Sequence, residues 1–413
     1  MEARAAGAGA EGSNHAAIGG RTRTWLARGI LLVLLGLAAW GLLWSTVRPR
    51  AGYDTLWYSM YAYQYAGVGV SDSWDLSWQL VHEYANPGLA ATLRRSPSGA
   101  WWSGWNEPAR QRWVGLYRMR PFMPLVSAAG FPLLGKEAPL LASAAAVVTV
   151  TVTAGLVLAP LTGWLVAGLF LVLSFGNVYL SRWLIDLTTD GLGLALWFLA
   201  LACAARFVAG ADRRWLAGAG MVTLALAFTR QSALVLPITL AVCALVALAA
   251  RSPIWRRIAW TATVTTLSVL VFAVYTAVAG LPSFADQLQD IPTLHFSRPD
   301  IPNPIGFLLQ RDAGIGASLI RSLPSQPLVW GSVLLGAAGL AVARRWWSAP
   351  FAVAIGAIPL LLAAHPVLTE ADRTLAPIWL SLNLGMALLA GRAIAWLTAR
   401  LRIPDAVTAS TGS

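Results

Sequence analysis

The chain has 413 residues, of which 57% are hydrophobic and 12% charged, with a formal net charge of +12 at pH 7 and two cysteines. A soluble chain of this length needs more surface charge, so the composition argues against an ordinary globular enzyme and for a polytopic helical membrane protein. The basic residues stand at the ends of apolar runs and form no stripe, which reads as membrane topology and not as a nucleic-acid footprint. Cys203 and Cys243 both lie inside apolar runs, which argues against a disulfide framework.

Residues 1–24, rich in Ala and Gly, are expected to form a disordered cytoplasmic tail, and residues 398–413 a second cytoplasmic tail. Arg21, Arg23 and Arg28 precede the apolar run 29–47, which reads as an uncleaved anchor because Trp40 and Trp44 occupy the place of a signal-cleavage site. Further apolar segments fall at 138–159, 162–180, 191–209, 214–230, 233–250, 257–280, 327–343, 349–364 and 376–397. The fold class expected is therefore an all-α polytopic membrane domain over 25–397 with about ten transmembrane helices.

The element Phe122–Gly135 is short and proline-rich, and it decides the topology. If it does not cross, Arg213/Arg214, Arg251/Arg256/Arg257, Arg344/Arg345 and Arg400/Arg402 all fall on the cytoplasmic side, as the positive-inside rule asks. It therefore reads as re-entrant or surface-lying, in a multi-pass protein of the cytoplasmic (inner) membrane with both termini cytoplasmic. Two long loops, 48–121 and 281–326, then lie outside, the first carrying surface helices. Of the acids, only Glu2, Glu11, Asp212 and Asp405 remain inside.

No GxxxxGK[ST], HExxH, CxxC or supported G-x-S-x-G occurs, and GIGAS at 314–318 lacks the lysine of a phosphate loop. Candidate chemistry lies in the external segments. In GYDTLWYSMYAYQYAG, Asp54, Tyr58, Tyr61 and Tyr65 are spaced to share one helical face. A carboxylate in an aromatic bed suits general-base work, while the same residues also suit a capping acid with interfacial anchors. Asp72 and Asp75 leave a divalent cation open, although no residue pattern demands a metal or any other cofactor. Arg118 and Arg120 precede the short apolar element, where guanidinium groups match phosphate oxygens or snorkel to an interface. Asp186 and Asp190 stand before a span, Asp190 as a candidate helix N-cap and Asp186 as a candidate partner of Arg182. Arg230 sits at a helix end where a charge needs a partner. In HPVLTEADRTLAP, Glu370, Asp372 and Arg373 invite mutual pairing.

An acid just after the first span, Arg-x-Arg-Pro entering a Pro-rich apolar element, an R…DLT-acid turn, RRWLAG and an LTR-polar turn follow one another in this order. That order resembles the GT-C superfamily of integral-membrane glycosyltransferases, in particular bacterial mannosyltransferase-like members that use polyprenyl-phosphate sugars. The likeness runs from about Gly52 to Arg392, with Thr55 in place of the second acid of the motif and Thr189-Asp190 where Glu-Pro is common. It implies inverting sugar transfer on the outer face, with Asp54 as general base. It also implies Tyr58, Arg118, Arg120, Asp186, Asp190, Arg230 and Arg373 as substrate-binding residues. The implied partners are a polyprenyl-phosphate-sugar donor, a glycan, glycolipid or protein acceptor, and membrane lipids, with no nucleic acid. A lipid-linked-sugar flippase or transporter and a non-catalytic GT-C-like membrane protein are the alternatives.

Overall fold

The computed structural model describes residues 5–85, 88, 107–343, 346–357 and 371–401. Among them, the elements are helical, and the only pairing of strand type is an isolated bridge between Ala51 and Ala85. The first half comprises α1 (Ala5–Thr46), α2 (Tyr53–Tyr65), α3 (Val70–Tyr84), α4 (Glu107–Arg118), α5 (Phe122–Leu134), α6 (Pro139–Thr162), α7 (Trp164–Gly176) and α8 (Val178–Leu184). The second half comprises α9 (Thr189–Gly210), α10 (Arg213–Ala227), α11 (Val235–Ala249), α12 (Trp255–Val278), α13 (Phe284–Gln289), α14 (Pro304–Ser322), α15 (Pro327–Val342), α16 (Ala349–Gly356) and α17 (Ala371–Leu401).

Among the described residues, six helical stretches are long and apolar enough to cross a membrane: Trp25–Thr46, Pro139–Thr162, Thr189–Gly210, Gln231–Ala249, Trp255–Val278 and Asp372–Arg400. Two bent pairs, α7 with α8 and α14 with α15, raise the number among the described residues to as many as eight, against an expectation of about ten that also counted the segment 349–364. The segment 162–180 breaks at Asn177, whose side chain accepts the Tyr179 N–H at 3.0 Å and starts a new helix at an 83° bend. Segment 214–230 yields the 15-residue α10, and 327–343 the 16-residue α15 that begins at Pro327. Of 349–364, the described helix ends at Gly356, and residues 358–370 lie outside the described residues. The short element is the 13-residue α5, packed against α2 and α6.

Two smaller expectations also change. α1 begins at Ala5, inside the segment expected to lack structure, because alanine is the strongest helix former. GIGAS lies within helix α14 and not in a loop.

α9 is apolar all round and forms the buried centre of the bundle, packed against α6, α10 and α17. α1 packs on α6, α11 pairs with α12, and α7 and α15 flank α17. Chain direction then gives the bundle two unlike ends. α9 has Asp190 in its first turn and ends beside Arg213 and Arg214, and α10 returns the chain to Arg230. α11 leaves again to reach Arg251, while α17 runs from Arg373 to Arg400. Arg213, Arg214, Arg251 and Arg400 thus fall at one end, and Asp54, Asp186, Asp190, Asp290 and Asp372 gather at the other, together with Arg230 and Arg373. Arg344, Arg345 and Arg402 lie outside the described residues.

α15 and α17 touch backbone to backbone, since a Cβ on Gly339 would fall on the Gly385 carbonyl and one on Gly385 on the Gly336 carbonyl. Small residues at such a crossing let dispersion contacts form where lipid removes the hydrophobic drive. Gly385→Leu is therefore expected to destabilise the bundle by at least about 1–3 kcal/mol, seen as a lower unfolding temperature in detergent. An unchanged transition would show that α15 and α17 do not pack this way.

Candidate functional site

The acidic end is assembled from helix starts. α2 is capped by its own backbone and Thr55, whose hydroxyl oxygen accepts the Gly52 N–H at 2.9 Å. Asp54, in the first turn, is thereby released from capping and turns its carboxylate outward from the helix. At α9 the N-cap is Thr188, not Asp190: its Oγ1 accepts the Asp190 N–H at 3.3 Å and donates to Asp190 Oδ2 at 2.5 Å. Asp54, Asp190 and Asp372 each occupy the first turn of a helix, where the positive end of the macrodipole favours a carboxylate.

These acids are joined by arginines from distant parts of the chain. Arg373 donates from Nη2 to Asp54 Oδ2 at 2.6 Å and from Nε to Asp190 Oδ2 at 2.9 Å. Arg230 completes the chain by pairing with Asp190. Gly193, one turn into α9, makes room for it, because a Cβ there would meet the Arg230 side chain. Asp190 is 1% exposed, and a carboxylate so buried is tolerated only when paired. The Tyr117 hydroxyl donates to Asp54 Oδ1 at 2.9 Å, and Arg120 Nη1 donates to the Tyr58 hydroxyl at 3.0 Å. Trp183 lies under both Arg182, at 4.9 Å, and Arg373, at 5.9 Å.

Around this network is a cavity of about 690 Å³, within the size range of small-molecule sites. Its walls combine aromatic surfaces (Tyr53, Trp113, Tyr117, Trp183, Trp197) with Arg50, Arg120, Arg182, Arg230 and Arg373 and five aspartates. The carboxylates differ in state. Burial pushes the Asp54 carboxyl up, but the Arg373 charge and hydrogen bond, the Tyr117 hydroxyl and the Arg120 charge outweigh it and hold it at about 2. Burial dominates at Asp186, which rises to about 7 despite the nearby charges of Arg373 and Arg182 and a hydrogen bond from the Leu187 N–H. Neither Arg120 nor Arg182 has a carboxylate within ion-pair distance among the described residues.

Of the residues expected from the sequence, Asp54, Arg120, Asp186, Asp190, Arg230 and Arg373 line this cavity, and Tyr58 is buried beside it. Arg118 does not join them: it is exposed and lines a second cavity, of about 800 Å³, on the other face of α4. Each helical residue turns the direction by about 100°, so Trp113 and Tyr117 share the site face while Arg118 has rotated off it. Asp186 forms no ion pair with Arg182. Arg373 reaches 319 residues back to Asp54, while Glu370 lies outside the described residues. Asp72 and Asp75 are exposed on α3, and among the described residues no group of three or more His, Cys, Asp or Glu is placed to hold a metal.

Tyr117, Trp113, Trp183, Trp197 and His295 are additional wall residues. Tyr117 carried a legible signal, being one helical turn from Trp113 and three residues before Arg120. His295 had none, because it arrives from the second loop, where Leu294, His295 and Phe296 all adopt left-handed backbone and His295 pairs with Asp290 at 2.9 Å.

Fold and site define a multi-pass helical membrane protein with a charged, aromatic-walled cavity at one end of its bundle. No family model, curated protein or solved structure matches the chain. Arg373→Ala would leave Asp190 and Asp54 without a shared cation and is expected to cost about 3–5 kcal/mol. Thermal unfolding in detergent measures this, and a shift smaller than that of an exposed-arginine control such as Arg256→Ala would contradict the pairing.

Proposed function

We propose that the protein transfers a sugar from a polyprenyl-phosphate-linked donor to an acceptor at the non-cytoplasmic face of the cytoplasmic membrane. One observation carries the reading. An ionised Asp54 and two guanidinium groups without carboxylate partners, Arg120 and Arg182, face one aromatic-walled cavity at the end of a membrane bundle. Guanidinium forks match phosphate oxygens, and aromatic faces match the apolar faces of sugar rings. A polyprenyl tail is accommodated by the lipid beside the spans, so the donor need not leave the membrane. The positive-inside rule, applied to the arginine-bearing turns at the far end, supports a non-cytoplasmic cavity. The resemblance to GT-C glycosyltransferases supports the same chemistry, a lipid-linked donor and an inverting displacement.

In the proposed reaction an acceptor hydroxyl attacks the anomeric carbon from the side opposite the phosphate, and the sugar–phosphate bond breaks. The negative charge developing on the departing phosphate is stabilised by Arg120 and Arg182, already oriented by Tyr58 and Trp183. Asp54 holds Arg373 and Tyr117 in place. A base role for it requires Arg373 to leave its carboxylate first, for instance for the donor's phosphate.

Detergent-purified protein is expected to transfer label from at least one of a panel of radiolabelled polyprenyl-phosphate sugars to a glycolipid, glycan or peptide acceptor. Asp54→Asn is expected to lower kcat/KM by on the order of 10²-fold or more, because the preorganised wall loses its fixed charge. Full activity in that variant removes Asp54 from the site. Transfer without vesicles rules out pure transport.

A further inference from the structure

The cavity holds two carboxylates in opposite surroundings. Asp54 has both oxygens engaged, one by Arg373 at 2.6 Å and one by Tyr117 at 2.9 Å. Asp186 is 8% exposed and lines the same cavity, yet the hydrogen bond it accepts comes from the Leu187 N–H, to Oδ1, at 2.9 Å. No cation lies within ion-pair distance of it among the described residues. Its position is well defined even so: the Leu187 N–H also donates to the Arg50 carbonyl at 3.3 Å, and the Ile185 carbonyl accepts from Ser143 at 3.1 Å. A buried acid held rigidly at a cavity wall without a counter-ion has no structural task that the neighbouring pairs leave undone.

We propose that Asp186 accepts the proton of the attacking hydroxyl, and that Asp54 is a positioning residue that holds Arg373. The assignment rests on the glycosyl-transfer reading. In the step, the acceptor O–H gives its proton to the Asp186 carboxylate as its oxygen forms the bond to the anomeric carbon. The bond from that carbon to the phosphate oxygen breaks, and its electron pair leaves with the phosphate toward Arg120 and Arg182. Asp186 then returns the proton to water at the cavity mouth. Burial supports this division, since a base poised near 7 works best at neutral pH, whereas a carboxylate held at about 2 is a weak one. The charged groups that set the Asp186 titration are Arg182 beside it, Arg373 from α17 and Asp54 from α2. Arg50, Asp190, Asp290, His295 and Asp372 stand around the rest of the wall.

The sign of the stability effect follows from the same burial. With a folded value of about 7 against an ordinary 3.8, the folded state binds more protons than the unfolded state between those limits. Asp186 therefore lowers stability progressively as pH rises from about 4 to about 7. Asp186→Asn, which removes the charge and keeps the shape, is expected to be at least as thermally stable as the wild type at pH 8.

The deciding experiment compares wild type, Asp186→Asn, Asp186→Glu and Asp54→Asn, all full chains, with a radiolabelled polyprenyl-phosphate hexose across pH 5 to 9. Wild-type kcat is expected to fall below pH about 7. Asp186→Asn should lose on the order of 10²–10⁴-fold in kcat with donor KM little changed and that acid limb flattened. Asp186→Glu should restore part of the rate, and the infrared band of a protonated carboxyl that titrates near neutral pH should vanish in Asp186→Asn. A variant that keeps its rate and pH profile overturns the base assignment and leaves transfer intact. An Asp186→Asn protein less stable than wild type at pH 8, with the infrared band unchanged, makes Asp186 a structural group and also overturns it. A wild type that transfers sugar from no donor overturns both readings together.

Discussion

A carboxylate only 1% exposed, at the start of the central helix, organises this molecule. Left alone, the charge of Asp190 costs several kcal/mol, and pairing is the only relief available in a bundle interior. The two cations that relieve it come from the exit of α10 and the start of α17, so three helices of the bundle must converge at one end. Arg373 has a second nitrogen to spend, and it reaches Asp54 at the start of the largely buried helix α2. The same pairing that stabilises the bundle end therefore sets the position of α2 and of the cavity wall.

That arrangement also separates the chemistry of like groups. Asp54 and Asp186 are both aspartates facing one cavity, yet one is held strongly ionised by Arg373 and Tyr117 while the other is pushed toward neutrality by burial. Splitting two carboxylates in this way is how one site supplies both a permanent charge and a group that exchanges a proton near pH 7. The guanidinium groups divide likewise. Arg373 and Arg230 are consumed by Asp190, whereas Arg120 and Arg182 rest against Tyr58 and Trp183 and keep their charge available to an anion.

Much of this was legible residue by residue, and the failures have physical causes. The apolar run 191–209 predicted a span because a helix that is hydrophobic all round has nowhere to go but a core. Segment 162–180 looked equally good, yet Asn177 ends the helix by a side-chain cap that hydropathy does not weigh. Asp190 looked like an N-cap because caps and acids cluster at helix starts, but Thr188 is two residues earlier and takes the backbone N–H, which frees the acid for Arg230. Arg118 and Arg120 looked equivalent in sequence. The helix of α4 ends between them, and they emerge toward different cavities.

The sequence by itself determined the membrane class, most of the long spans and the gathering of acids at one end, because these follow from composition and helical rise, which are local. It also supplied the identities of the charged residues at the site. Only the tertiary structure decided which acid each arginine serves and which carboxylate keeps a free oxygen. The reason is that Asp54 and Arg373 stand 319 residues apart, and desolvation depends on every element packed around a group. Local pattern encodes neither quantity. The difference between an engaged Asp54 and an unpaired Asp186 exists only once the bundle has closed.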